Sequence, residues 1–202
     1  VTPNPPTIAG LGGDLVTYTE QLGPVALDLG ANATVNDPDS TTFAGGNLTI
    51  AYQAGQQAED RLTIVTGGDV TLSAGMSAGS SVTVAGAGVI GTIRAGATGA
   101  SGQALIVDLG VNATPAAVQA LVRAIAYDNA GGDTPVAGDR TLRVTLTDAA
   151  GGATSAPADV TVRVAAVDDA PTIAGLATGQ AVTDKTTVTP FAAATIGDVD
   201  SA

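Results

Sequence analysis

Two runs near the end of the chain fix its fold class more firmly than anything else in it. RTLRVTLTD (Arg140–Asp148) sets Leu142, Val144 and Leu146 against Thr141, Arg143 and Thr145, and DVTVRVAAV (Asp159–Val167) sets Val160, Val162 and Val164 against Thr161 and Arg163. A side-chain period of two puts alternate residues on opposite faces, as in a half-buried strand. The segment between them, AAGGATSAP, reads as a turn. DLVTYTE (Asp14–Glu20), VALDLG (Val25–Gly30), NLTIAY (Asn47–Tyr52), RLTIV (Arg61–Val65) and ALIVDLG (Ala104–Gly110) carry the same signal. Many short alternating strands between Gly and Pro turns predict an all-β, antiparallel β-sandwich.

Two segments depart from this pattern. Residues 66–103 are Gly-rich, yet VTLS, SVTVAG and VIGTIRAG still alternate within them, which predicts an inserted hairpin or an extension of a sheet. Near residues 115–127 the period changes to 3.6. Val118, Leu121, Val122 and Ile125 recur at helical spacing, Thr114 can cap the N-terminus, and Pro115 suits the first helical position. One short accessory helix is expected, with Arg123 off its apolar stripe and facing water.

A repeat divides the chain. PPTIAGL (Pro5–Leu11) returns as APTIAGL (Ala170–Leu176), so that Pro6 and Pro171 stand 165 positions apart. Residues 1–168 are read as one complete repeat behind a Pro-rich linker, and residues 169–202 as the linker and opening of a second. A piece of that size cannot bury a core by itself. Starting and ending within a repeat, the sequence reads as an excerpt from a longer polypeptide.

Nineteen acidic residues against seven basic ones give a formal net charge of −12 in 202 residues. Such a chain repels nucleic-acid phosphates and anionic lipid and attracts cations. No run approaches the roughly 18 apolar residues of a membrane span. With no Cys and no His, thiol and imidazole chemistry, disulfides and zinc sites of the usual kinds are excluded. Paired carboxylates could cleave a glycosidic bond, but the chain has no Trp and only three Tyr and two Phe to stack a sugar. We read it as a non-enzyme.

The acidic residues are grouped. Glu20 closes the first strand, Glu59-Asp60 ends a mid-domain turn, Asp168-Asp169 precedes Pro171, and Asp198-Val-Asp200 echoes Asp37-Pro-Asp39. Asp148 lies before the Gly turn between the two cleanest strands. Calcium takes six to eight oxygen ligands, commonly several carboxylates. An Asp in a turn, however, also bonds its own backbone.

This arrangement resembles the cadherin-like tandem repeat, and the phrases PTIAGL, NATPAAVQALVRAIAYDN and TLTDAAGGATSAPADVTV look like the long cadherin-like repeats of giant bacterial surface adhesins. The resemblance implies a Greek-key sandwich of cadherin/immunoglobulin-like type, with Ca2+ bound between consecutive domains. It implies a lower joint built from Glu20, Glu59, Asp60, Asp168, Asp169, Asp198 and Asp200. It implies an upper joint using Asp37, Asp39 and Asp148, where Pro3 and Asn4 occupy the places of Asp168 and Asp169. The chain departs from the pattern there, and also in its length.

The expected role is a structural spacer or adhesion module in a secreted bacterial surface protein, stiffened by calcium, with neighbouring repeats as its partners. Two alternatives stay open. One is a glycan- or protein-binding module using the Gly-rich segment. The other is a surface-layer or filament subunit whose C-terminal segment adds a strand to an identical chain.

Overall fold

Each alternating run becomes a strand in the computed structural model, which describes residues 4–149 and 152–200. In chain order these are β1 (Thr7–Ala9), β2 (Leu15–Thr19), β3 (Val25–Ala26), β4 (Thr34–Asn36), β5 (Asn47–Ala54), β6 (Asp60–Ile64), β7 (Val70–Leu72), β8 (Ser81–Val84), β9 (Gly88–Thr98) and β10 (Leu105–Leu109). After helix α1 (Pro115–Ala124) come β11 (Ile125–Asn129), β12 (Gly138–Thr147), β13 (Ala158–Ala165), β14 (Thr172–Ala174) and β15 (Thr195–Gly197). The chain divides into two units, Val1–Ala166 and Val167–Ala202.

In the first unit an eight-stranded sheet runs in the order β2-β13-β12-β5-β10-β9-β8-β7, and a three-stranded sheet runs β3-β11-β6. The Gly-rich segment supplies β7, β8 and β9, so it extends the large sheet at one edge. Pairing departs from the antiparallel expectation at the other edge, where β2 lies parallel to β13, Val16 opposite Val162. Parallel neighbours need a long crossover, and here nearly the whole unit lies between the first long strand and the last. The other named pairings among the described residues are antiparallel.

The helix begins as the sequence predicts. Thr114 Oγ1 accepts the Ala117 N–H at 3.3 Å, Pro115 opens the first turn, and Ala117, Val118, Leu121 and Val122 are buried. It ends three residues earlier than expected. Ile125 adopts extended backbone (φ −70°, ψ 132°) and starts β11. Ile125 fits the helical period by position, but Ile and Tyr side chains favour strands, and Ile125–Asn129 finds partners in β6 and β3. Arg123 faces water only in part: its Nε donates to the Ala33 carbonyl at 2.9 Å while the side chain stays 35% exposed.

Apolar side chains of the eight-stranded sheet, including Val16, Leu48, Ile50, Leu105, Val107, Leu142, Val144, Val160 and Val162, pack in one core with Leu62, Ile64 and Tyr127 of the smaller sheet and Val118 and Leu121 of α1. Tyr18 of β2 meets Tyr127 of β11 edge to face, centroids 5.4 Å apart at 77°. That contact ties one sheet to the other. Among the described residues no helix is long and apolar enough to cross a membrane.

A second tie is ionic. Arg140 of β12 stands in the same period-two phase as Leu142, Val144 and Leu146, so it points inward and is fully buried. Its Nε meets both oxygens of Asp60 on β6, at 2.9 and 3.1 Å. Its remaining nitrogens donate to the Gly138 and Val136 carbonyls. Breaking a buried pair from one side leaves an uncompensated charge and costs roughly 3–5 kcal/mol. Arg140→Met is therefore expected to lower stability by about that amount. Adding Asp60→Asn to it should recover part of the loss, with both changes read by denaturant unfolding.

Candidate functional site

The loop after β4 builds a cluster from its own backbone outward. Asp37 Oδ1 accepts the N–H groups of Asp39 and Ser40, each at 3.1 Å, so one carboxylate oxygen shapes the turn. Asp39 Oδ2 accepts the Asn4 N–H at 2.8 Å, and Ser40 Oγ donates to Asp148 Oδ2 at 2.9 Å. Asp148 follows β12 directly. The two carboxylates of the β4 loop and the one at the exit of β12 are thus brought together through Ser40, and Asn4 ties the loop to the segment before β1. The three residues assigned to the upper joint by the resemblance do meet, with Asn4 contributing backbone. Pro3 lies outside the described residues.

The electrostatics of this cluster are unbalanced. Asp37 is 8% exposed and Asp148 is also buried. Asp37 Oδ2 is buried with no hydrogen-bond partner. Burial raises the Asp37 pKa above the usual carboxylate range, helped by the Asp39 side chain and the Asp148 charge and opposed by the two N–H groups. A buried carboxylate oxygen without a donor is costly. Protonation or a cation would relieve it. Among the described residues no group of three or more acidic side chains is already arranged to hold a metal ion, so the carboxylates are gathered without forming a closed cage.

The second unit repeats the device. β14 pairs with β15 as β1 pairs with β4: Ile173 faces Ile196 as Ile8 faces Val35. Asp198 Oδ1 accepts the Asp200 N–H at 3.1 Å, and Asp200 Oδ2 accepts the Asp169 N–H at 2.5 Å. Asp169 therefore takes the place of Asn4, and Asp198 and Asp200 take those of Asp37 and Asp39. Asp168 is exposed. The turn geometry recurs as well. Gly10 and Gly175 have φ of +79° and +71°, and a Cβ would strike the Asn32 carbonyl oxygen at 2.7 Å or the Ala193 one at 2.1 Å. Only Gly accommodates both constraints.

The set assigned to the lower joint is divided between the units. Asp168, Asp169, Asp198 and Asp200 belong to the second, and Glu20, Glu59 and Asp60 to the first. Glu20 is buried at the exit of β2. Glu59 Oε1 accepts the Val136 N–H at 2.5 Å and lies 3.4 Å from Asn129 Nδ2. Asp60 is spent inside the core. Besides Arg140 it accepts from Tyr127 Oη (2.5 Å), Asn129 Nδ2 (3.2 Å) and the Gln57 N–H (2.7 Å). A cation there would have to displace Arg140.

Sequence reasoning missed Ser40 and Arg140. The signal for Arg140 was present, since an Arg in the inward phase of a strand must meet a carboxylate. Ser40 had no such signal, because only folding brings it to Asp148. Two aspartates outside these groups also have partners: Asp159 and Asp139 lie opposite Arg143 and Arg163, which hold their carboxyls below the usual range.

Compared with models of known protein families, with curated proteins and with solved structures, the chain matches none.

A folded-state pKa raised above its unfolded value contributes stability at low pH that is lost as pH rises through the folded pKa. With divalent cations chelated, raising the pH from about 4, the ordinary carboxylate value, should therefore lower the Tm through the Asp37 term. Asp37→Asn should flatten that slope and match or exceed the wild-type Tm at neutral pH. A steeper slope in the variant would show that Asp37 is not the strained group.

Proposed function

We propose that this chain is a structural spacer or adhesion module of a long, secreted bacterial surface protein, and that calcium at its joints makes it rigid. The observation that carries the proposal is the buried, unpartnered Oδ2 of Asp37 beside Asp39 and Asp148. A hard oxygen donor set with a missing positive charge suits calcium, which tolerates flexible carboxylate sites. Asp37, Asp39 and Asp148 would hold the ion in the first unit. Asp169, Asp198 and Asp200, with Asp168, would contribute in the second, where the same Asp-x-Asp turn recurs. Glu20 and Glu59 are further candidates, while Asp60 is left out because Arg140 already neutralises it.

The chemistry of the chain supports a mechanical role. Bound calcium would neutralise clustered carboxylates and fix the turn to the strand that enters the unit, since Asp39 already holds Asn4 and Asp200 already holds Asp169. The cadherin-like, Greek-key reading of the sandwich belongs to the same proposal. Secretion matters to it because extracellular calcium modules have dissociation constants of about 10⁻⁴–10⁻³ M. Such sites fill outside the cell.

The ligand-binding alternative has a specific groove to recommend it, about 490 Å3 between the Gly-rich segment and α1. Two of its three polar side chains are already used, Arg123 on Ala33 and Gln119 on Val35, which leaves Asp69, and its other walls are Ala, Val and Gly. The spacer reading is preferred.

At ten times its dissociation constant, calcium should stabilise the first unit by about 1.4 kcal/mol. Thermal melts in 10 mM calcium against chelator should show this rise for wild type. Asp37→Asn combined with Asp39→Asn should abolish it. A wild-type melt indifferent to 10 mM calcium would sink the proposal.

A further inference from the structure

The β14–β15 hairpin reproduces β1–β4 in register, in its Gly turn and in its Asp-x-Asp clasp, and Thr172 Oγ1 donates to the Gly197 carbonyl as Thr7 Oγ1 does to that of Asn36. The two hairpins differ in what covers them. In the first unit Leu11 and Val35 are 1% and 7% exposed, and Ile8 packs against the core. Their counterparts Leu176, Ile196 and Ile173 are 50%, 78% and 62% exposed. Identical local structure with opposite burial means that the hairpin is built for a neighbour.

The first unit shows what that neighbour is. Helix α1 closes over β4: the Val35 N–H donates to Gln119 Oε1 at 3.2 Å, and Arg123 Nε donates to the Ala33 carbonyl at 2.9 Å. Between their paired strands the units differ in a matching way. Residues 12–33 include β2, which is held by β13, whereas residues 177–194 carry no strand. A β2-like strand has nothing to pair with until a β13-like strand is present.

We infer that the β14–β15 hairpin is the first layer of a second sandwich, and that its apolar face docks under an α1-like helix carried by the same polypeptide C-terminal to Ala202. Chain order argues for the same polypeptide. In the first unit β4 leads through Asp37 and Asp39 straight into the body that bears α1, and β15 leads into Asp198 and Asp200 in the same sense. A body from another copy is already covered by its own β1–β4 hairpin. The inference is independent of calcium binding.

The test extends the full 202-residue chain at its C-terminus with a second copy of its own residues 42–166. Ser201 follows Asp200 as Ser40 follows Asp39, which sets the joining point. Amide hydrogen exchange is then compared between the extended and original chains. Protection of the Ile173 and Ile196 amides should rise on the order of 100-fold, as they move from a frayed to a packed environment. Gln119→Ala in the appended copy alone should reduce the protection at Ile196.

Two results would overturn the inference in the extended chain. One is cooperative folding of the appended residues while Ile173 and Ile196 still exchange freely, and the other is their failure to fold behind this hairpin. Sedimentation of the original chain supplies a third arm. A monomer is expected, and a dimer abolished by Ile196→Asp would overturn the inference in favour of a second copy.

Discussion

The buried Asp60–Arg140 pair is the contact on which the sandwich depends. Apolar burial drives the two sheets together but has no direction of its own. The ion pair does, since it joins β6 of the small sheet to β12, an inner strand of the large one. Tyr127 and Asn129 on β11 donate to the same carboxylate, and burial with the Asp60 hydrogen bond raises the Tyr127 pKa so that it stays a donor. With few aromatic residues and no disulfides, the chain uses this polar knot to fix how the sheets face each other. Such specificity comes at a desolvation cost that only complete pairing offsets.

The Asp-x-Asp turn follows the opposite logic. At Asp60 each oxygen is satisfied, whereas at Asp37 one oxygen shapes a turn and the other is left buried without a donor. The fold supplies four donors to one carboxylate and leaves one oxygen of another without any. The first has both oxygens paired, and the second keeps one buried oxygen unpaired. The same turn in the second unit, with Asp169 for Asn4, adds negative charge at the equivalent place.

Much of the architecture was legible. Strict alternation located the long strands, Thr114-Pro115 located the start of the helix, and the Gly-rich segment was read as an inserted hairpin or an extension of a sheet, of which the structure shows the second. The errors have physical causes. Ile125 fits two periods at once, and strand pairing with β6 decided between them. VALDLG alternates through Leu29, but the strand stops at Ala26 and Leu29 is exposed, because Asp28 turns the chain by accepting the Asn32 and Ala33 N–H groups. Of the site, Asp37, Asp39 and Asp148 were grouped by resemblance to a repeat family, and Ser40 between them was not visible.

The sequence by itself determined the strands, the helix start, the acidic character and the repeated opening phrase, because each rests on periodicity, composition or local turn chemistry over a few residues. Tertiary structure alone decided which carboxylates are neutralised and which are not. Asp60 and Asp37 look alike in sequence, each an acid in or beside a turn. One meets an Arg 80 positions away and the other meets a second Asp 111 positions away. A charge is set by what surrounds it in space, and strand pairing across the whole unit creates those surroundings.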